Sequence, residues 1–412
     1  MGWTTAMAST KLIQLGKYYY PEPGGMETHL YDLCCRLKDK YDLRVLVANT
    51  SPRTVREAVA GVSLVRAANW GELFSNPICP TFPRHLSGMK ASIGSIIHLH
   101  LPNPMAHLAY ALVRPAGKLV VSWHSDIVRQ KVLGKLYGRA LHALLTRADC
   151  IVATSPVYVR YSSFLRRHAD KCVVVPLGIN PEKFQTSAAT KRRVQLLQSR
   201  YGRPFVLFVG RLTYYKGLDV LLQAADQING NIVIVGNGPL KQQISNEVEK
   251  RRLGSRVFLL TEVSHSELVA FYHACDVFVL PSNQRSEAFG IVQLEAMVCG
   301  KPVVSTDLRT GVPWVNLHEV TGLTVPVNDA GRLAHAVNRL LADAAERRRL
   351  GRNGRRRVLQ NFTLEKVGER MERVYEMVLD GGVKTDVHLW EDPFALGDEL
   401  KANALLSADE KA

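Results

Sequence analysis

The chain has 412 residues, 46% of them hydrophobic and 22% charged, which exceeds what one core supports and is too apolar for a disordered polymer, so two domains of ordinary size are expected. Its 53 Lys and Arg against 37 Asp and Glu give a formal charge of +16; the tail after Asp380 nets −4, leaving +20 on the body. Such an excess calls for an anionic partner: nucleic acid, an anionic membrane or a phosphorylated small molecule. The absence of zinc-finger spacing, an RNP-like aromatic motif or a compact basic arm argues against nucleic acid.

Seven cysteines without CxxC spacing fit a reducing compartment better than a disulfide framework. The most apolar run, Ala91 to Val113, is interrupted by His98, His100, Pro102 and Pro104, so no bilayer span is expected. The segment before Lys11 has neither the basic start nor the apolar core of a signal peptide, and a cytoplasmic protein is expected.

In chain order, "KLIQL" at Lys11 reads as a short buried strand. Gly24-Gly25 follows, and Met26, Leu30, Leu33 and Leu37 then recur at helical spacing. The strand-like runs "DLRVLVAN", "SIIHLHL", "KLVVSWH", "CIVATS" and "CVVVPLG" continue the pattern, with connections long enough for crossovers. Around Val175 to Phe184 Pro and Gly interrupt it, and there the domain junction is expected. The alternation restarts with "FVLFVG", "NIVIVGNG", "RVFLL", "DVFVLPS" and "KPVVST", and Ser264 with Glu267 forms a capping-box spacing before one of the helices.

The class is therefore α/β, with two Rossmann-like domains facing across a cleft. Expected boundaries are 1–182 for the first domain, 183–361 for the second, 362–380 for a closing helix and 381–412 for an acidic tail. A ligand should lie in the cleft, at the carboxyl ends of the strands.

Phosphate recognition needs backbone N–H groups and cations. Gly24 and Gly25 stand between the first strand and its helix, where a diphosphate could approach the main chain. In "VGRLTYYKG" Arg211 follows a strand and Lys216 precedes a helix, putting two cations at one sheet edge. They could neutralise charge developing on a departing diphosphate. Gly236, in "VGNGP", opens another strand-end loop but lacks the third glycine and distal acid of a dinucleotide fingerprint.

"NQRSEAFGIVQLEAMVCGKPVV" carries Glu287 in a loop and Glu295 inside the helix that Gly290 should start. Glu287 could accept sugar hydroxyls, and Glu295 both hydroxyls of a ribose, since each carboxylate oxygen can take one O–H. An acid stabilising a helix start would explain the same pattern. His124 ends a strand at the cleft edge, placed to donate to a hydroxyl or carbonyl, or simply to be a satisfied structural histidine. No Asp-x-Asp pair or HExxH is present, so neither a metal nor any other cofactor is called for. His98 and His100 share a strand face and read as packing residues.

These motifs resemble those of the retaining glycosyltransferases of family 4, which have the GT-B fold, and the resemblance runs from Lys11 to about Asp380. It is strongest at the E-x7-E element, Glu287 and Glu295 with Phe289-Gly290 between them, and at Arg211 and Lys216. The resemblance implies that Glu295 contacts ribose, Glu287 and the Phe289-Gly290 backbone the sugar, Arg211 and Lys216 the diphosphate, and that His124 lies by the transferred sugar. It further implies metal-independent transfer with retention, and a C-terminal helix, "FTLEKVGERMERVYEMVL", crossing back to the first domain. Thr261-Glu262 departs from the glycine many relatives have at that turn.

"HLHLPNP", "WHSDIVRQK" and "TGVPWVN" are similar to enzymes of bacterial surface-polysaccharide synthesis, many using GDP-mannose or a related GDP-sugar. A UDP-sugar and a soluble acceptor remain the alternative. The expected partners are a nucleotide-diphosphate sugar and a saccharide acceptor linked to a polyprenyl diphosphate. Lys131, Lys135, Arg139 and His142 fall on one face of a helical stretch, which could rest on an anionic inner membrane leaflet or be an ordinary amphipathic helix with its apolar side on the sheet. Glu287→Ala is expected to abolish transfer while sparing the fold.

Overall fold

A computed structural model of the protein describes residues 10–22, 24–74, 76–126 and 133–381. The first half runs through β1 (Lys11–Leu15), α1 (Gly25–Leu37), β2 (Asp42–Ala48), β3 (Val55–Val59), β4 (Val62–Ala67), β5 (Glu72–Leu73), β6 (Asn76–Pro77) and α2 (Phe82–Gly88). It continues with β7 (Ile96–Leu101), α3 (Pro104–Val113), β8 (Lys118–Trp123), α4 (Leu133–Arg147), β9 (Cys150–Ala153), α5 (Pro156–Tyr161) and β10 (Cys172–Val174). Eight of these strands form one sheet in the order β10-β9-β8-β7-β1-β2-β4-β3, parallel except for β3.

The second half comprises α6 (Ala188–Tyr201), β11 (Phe205–Val209), α7 (Leu218–Ala224), β12 (Asn231–Val235), α8 (Lys241–Lys250), β13 (Val257–Leu260), α9 (His265–Ala274) and β14 (Val277–Leu280). Then follow α10 (Ile291–Val298), β15 (Val303–Thr306), α11 (Val312–Val315), β16 (Gly322–Val325), α12 (Ala330–Ala342), α13 (Ala344–Asn361) and α14 (Leu364–Leu379). Its sheet is parallel throughout, in the order β13-β12-β11-β14-β15-β16.

The central strands are buried along nearly their whole length because helices cover both faces, and in the first sheet Gln14, His98, His100 and Ser122 interrupt their apolar runs. In each sheet the strand order reverses once, between β1 and β7 and between β11 and β14. Crevices open at the carboxyl ends of such reversals. The loops after β1, β8, β11 and β14 therefore hold the residues of interest.

The chain passes between the halves twice. Near the first crossing Ile179 donates its N–H to the Phe362 carbonyl and accepts from Leu364 N–H, both at 2.9 Å. Helix α14 then returns to the first half, burying Val367, Met371, Val374 and Val378 in the core that holds Leu30, Leu33 and Leu37 of α1. Glu372 on α14 pairs with Arg36 at 3.2 Å and Lys40 at 2.5 Å.

Two expectations fall partly or wholly beyond this description. The acidic tail after Gly381 lies outside the described residues, as does the basic stretch through Val132 with the side chains up to Leu136. Further along α4, Arg139 is exposed, Leu144 and Leu145 are buried, and His142 packs half-buried against Phe164 and His168.

Candidate active site

Lys216 sits in a short turn before α7 and is buried, as is Glu287 in the loop between β14 and α10. The Lys216 Nζ donates to Glu287 Oε2 at 2.5 Å, and Ser282 Oγ donates to the same oxygen at 2.9 Å. Burial works against the ammonium, but Glu287, with smaller contributions from Tyr215 and Glu295, outweighs it and holds the Lys216 pKa above the ordinary lysine value. The lysine is thus charged but not a lone cation.

Glu295 lies one turn into α10, and the Tyr272 hydroxyl donates to its Oε2 at 2.5 Å. Burial pushes its carboxyl up to about 7, against the opposing pull of Tyr272 and Lys216. The Phe289 ring is core, edge-on to Trp314 and Phe362, so only its backbone is left to meet a ligand. Its carbonyl accepts from Gln293 Nε2 at 3.0 Å. Gly236 follows β12 and presses on the Gly210 backbone at the end of β11.

Arg211 does not join the Lys216 group. It is exposed, and its electrostatic partners are Lys17 and Glu27 on the first half. Glu27, in the first turn of α1, folds back so far that a Cβ on Gly24 would lie 2.0 Å from its Oε2. It accepts from its own backbone N–H, and burial raises its pKa. The tip of α1 thus carries a carboxylate of its own where the sequence led us to expect a diphosphate, while Gly25 beside it has open space around it.

His124 is buried in a polar network that the strand register builds. Pairing sets Gln14 opposite His98 and His100 opposite Ser122 on adjacent parallel strands. Gln14 Nε2 donates to Tyr375 Oη at 3.1 Å, and that hydroxyl is hydrogen-bonded to His98 Nδ1 at 2.7 Å. His98 Nε2 is in turn hydrogen-bonded to Ser122 Oγ at 2.8 Å. On its other side Gln14 Oε1 accepts from His100 Nε2 at 2.8 Å, so His100 Nδ1 must accept from His124 Nε2 at 3.0 Å. The remaining nitrogen, His124 Nδ1, is an acceptor with no partner among the described residues.

Burial, with smaller contributions from neighbouring rings, holds His100 and His124 well below the ordinary histidine value, so both are neutral at pH 7. His124 lines a cavity of about 10 Å³ together with His29 and Thr154. Among the described residues no three His, Cys, Asp or Glu are placed to hold a metal ion.

The two halves meet beside these residues. Arg285 Nη2 lies 3.0 Å from Asp126 Oδ2, and the guanidinium also covers the Tyr158 ring. Asp126 is fixed from its own side by Trp123 Nε1 at 3.1 Å and Ser162 Oγ at 2.7 Å. This pair ties the segment two residues after His124 to the segment two residues before Glu287. Sequence reasoning missed it, along with Lys17, Glu27, His29 and Tyr272, because no local spacing announces a contact between positions 159 apart.

The structure also corrects the expectation for Glu287→Ala. Removing a carboxylate that pairs with a buried ammonium strands the Lys216 charge, which costs about 3–5 kcal/mol. That substitution should therefore lower stability as well as activity.

Residues 23–183 match the family described as Glycosyltransferase Family 4, and residues 191–357 match Glycosyl transferases group 1. The chain is 33% identical to O-antigen chain mannosyltransferase C of Escherichia coli, over 90% of this chain and 99% of that protein. It is 32% identical to the D-rhamnosyltransferase WbpZ of Pseudomonas aeruginosa, over 86% and 92% of the two chains. The solved sucrose-phosphate synthase of Thermosynechococcus elongatus superposes with a TM-score of 0.76 at 26% identity, covering 90% of this chain and 100% of that one. With likeness of this length on both halves, the chain belongs to glycosyltransferase family 4 and has the GT-B fold.

Proposed function

We propose that the protein is a retaining hexosyltransferase that takes mannose or a related hexose from a GDP-sugar and adds it to a polyprenyl-diphosphate-linked saccharide in cell-surface polysaccharide synthesis. The observation that carries this reading is the buried Lys216–Glu287 pair at the tip of α10, with Glu295 one turn behind it. A cation, an anion and a helix N-terminus in one place suit a ligand that combines a diphosphate with two sugar rings. The kinship to a mannosyltransferase and a rhamnosyltransferase favours the hexose and the polysaccharide setting.

In this reading Glu295 holds the ribose diol, and Glu287 with the Phe289-Gly290 backbone holds the transferred sugar. Lys216 faces the diphosphate, and Arg211, which stands apart from it in this structure, is drawn to the same diphosphate when the donor binds. Departure of the nucleotide leaves negative charge on the β-phosphate, which the two cations stabilise without a divalent metal. The acceptor hydroxyl attacks from the same face, giving up its proton to the departing phosphate oxygen, so configuration is retained. His124, a neutral acceptor at Nδ1, takes a hydrogen bond from a hydroxyl of the sugar.

A thermal-shift series with GDP, UDP and ADP tests the donor, because the tightest binder stabilises most. GDP should give the largest shift; a UDP shift that exceeds it would overturn the GDP reading. Glu287→Gln keeps the shape of the side chain and an acceptor for Lys216 but not the counter-charge, so it should lower kcat by at least about 100-fold and lower the melting temperature less than Glu287→Ala does. Transfer should persist in EDTA.

A further inference from the structure

The hairpin from Trp70 to Ile78 and the outer face of α3 form an apolar surface that no other described residue covers. Trp70 is 68% exposed, Leu73 57% and Phe74 58%, at and around the β5–β6 turn. Trp70 and Ile78 are joined by a backbone hydrogen bond at 2.9 Å, so these side chains belong to one small ribbon, which packs against α3.

Helix α3, "PMAHLAYALV", has no charged residue at all. Its inner side buries Ala106, Ala109 and Tyr110 in the core. Its outer side carries Leu108, Ala111 and Leu112, all exposed, with half-buried Met105 on the same stripe. A helix of a water-facing layer ordinarily turns polar residues outward, and one that is apolar on both sides has a second apolar neighbour. Beyond the end of α3, Ile93 is 87% exposed, and its loop lies against Gly117 through Ser92 and Ser95.

The charge pattern says what that neighbour is. From Leu73 to Ser125 the sequence has no Asp or Glu, while Arg84, Lys90 and Arg114 are exposed around the apolar stripe. The one carboxylate on the hairpin among the described residues, Glu72, accepts from the Tyr18 hydroxyl at 2.9 Å. A tryptophan and aliphatic side chains flanked by three exposed cations, with the hydrogen-bonded Glu72 as the one acid on the hairpin among the described residues, match an anionic lipid interface.

We infer that the β5–β6 hairpin and the outer face of α3 dock the enzyme on an anionic phospholipid bilayer. The Tyr18–Glu72 hydrogen bond ties the hairpin to the loop between β1 and α1, at the carboxyl edge of the sheet. Docking through it therefore sets the mouth of the cleft at the membrane surface, where a lipid-linked acceptor presents its sugar. The surface deepens the acceptor reading and rests on it for its purpose, but its test needs no acceptor.

The full-length chain is floated with vesicles of pure phosphatidylcholine and of phosphatidylcholine with 30% phosphatidylglycerol. The wild type should bind the mixed vesicles well and the neutral ones weakly. Trp70→Ser with Phe74→Ser, and separately Leu108→Gln with Leu112→Gln, should each lower apparent affinity by about tenfold or more. Both pairs are exposed, so their melting temperatures and nucleotide-dependent shifts should match the wild type.

Equal binding to the two vesicle types, or variants that float like the wild type, would overturn the inference. A wild-type dimer that fails to float and dissociates in the Trp70/Phe74 variant would also overturn it, by showing a second copy on this face. Vesicle binding that depends on these side chains, in a protein that none of the three nucleotides stabilises, would sink the donor reading and leave the surface supported.

Discussion

Glu295 is held where its own charge is disfavoured. In the unfolded chain its carboxyl titrates near 4.5, and in the folded protein burial lifts this to about 7 despite the Tyr272 hydroxyl and Lys216. Between those values the folded state binds a proton that the unfolded state does not, so stability falls as pH rises through the window and stays lower above it. The buried histidines act in the opposite sense. Burial depresses His29 to about 4 and His98 to about 3, so their contribution is present above the ordinary histidine value and is lost as pH falls below it. Glu295→Gln removes only the first effect. Its melting temperature should gain on the wild type by about 2 °C or more between pH 5.5 and pH 8, while donor affinity drops. A difference that does not change with pH would show that the carboxyl is already ionised throughout. In the wild type the acid limb of kcat/KM, which reports the free enzyme, should fall near pH 7.

At the scale of single elements, α10 shows what the sequence disclosed and what it hid. The Phe289-Gly290 step marked its start, and Gly290 is indeed the residue before its first turn, with φ +74. A Cβ there would lie 2.7 Å from Leu280 Cδ2 and 2.8 Å from Gln293 Nε2, so only glycine fits both the dihedral and the space. Gly290→Ala should cost roughly 1–3 kcal/mol, read as a lower denaturant midpoint, and should weaken nucleotide binding in calorimetry by about tenfold. An alanine variant with unchanged nucleotide affinity would separate the helix start from the donor site. The long apolar strands were equally plain, because a parallel sheet covered on both faces needs largely apolar runs. The antiparallel β3 was not read: its residues are mostly exposed, and its turn at Ala60-Gly61 is only two residues long. The histidine network was illegible for a different reason. His98 and His100 share a strand, but their partners come from β1, β8 and α14, and only the order of strands brings Gln14, Ser122 and Tyr375 to them. Spacing along one strand cannot disclose register between three.

For the whole molecule, the question is what holds two domains in a reactive arrangement when each has its own core. Around Ile179, Phe362 and Leu364 the two crossing segments are joined by backbone hydrogen bonds, so a turn of one half against the other is expected to have its axis there. Far from that axis in sequence, Arg285 and Asp126 close the opposite contact, and Arg309 lies over the Tyr161 ring nearby. Asp126 is 13% exposed and Arg285 31%, so the pair is partly shielded and can close or release without burying an unpaired charge. All the groups assigned to the nucleotide lie on the second half, whereas His124 lies on the first. Loosening the clasp should therefore spare donor binding and impair the step that needs both halves. Arg285→Ala should keep the nucleotide-dependent thermal shift, lower kcat about tenfold, and raise the radius of gyration measured by X-ray scattering with saturating nucleotide. Arg285→Lys retains the charge but loses the flat guanidinium over Tyr158, and should fall between the two. If Arg285→Ala instead lost nucleotide binding with no change in scattering, the pair would belong to the donor pocket and not to closure.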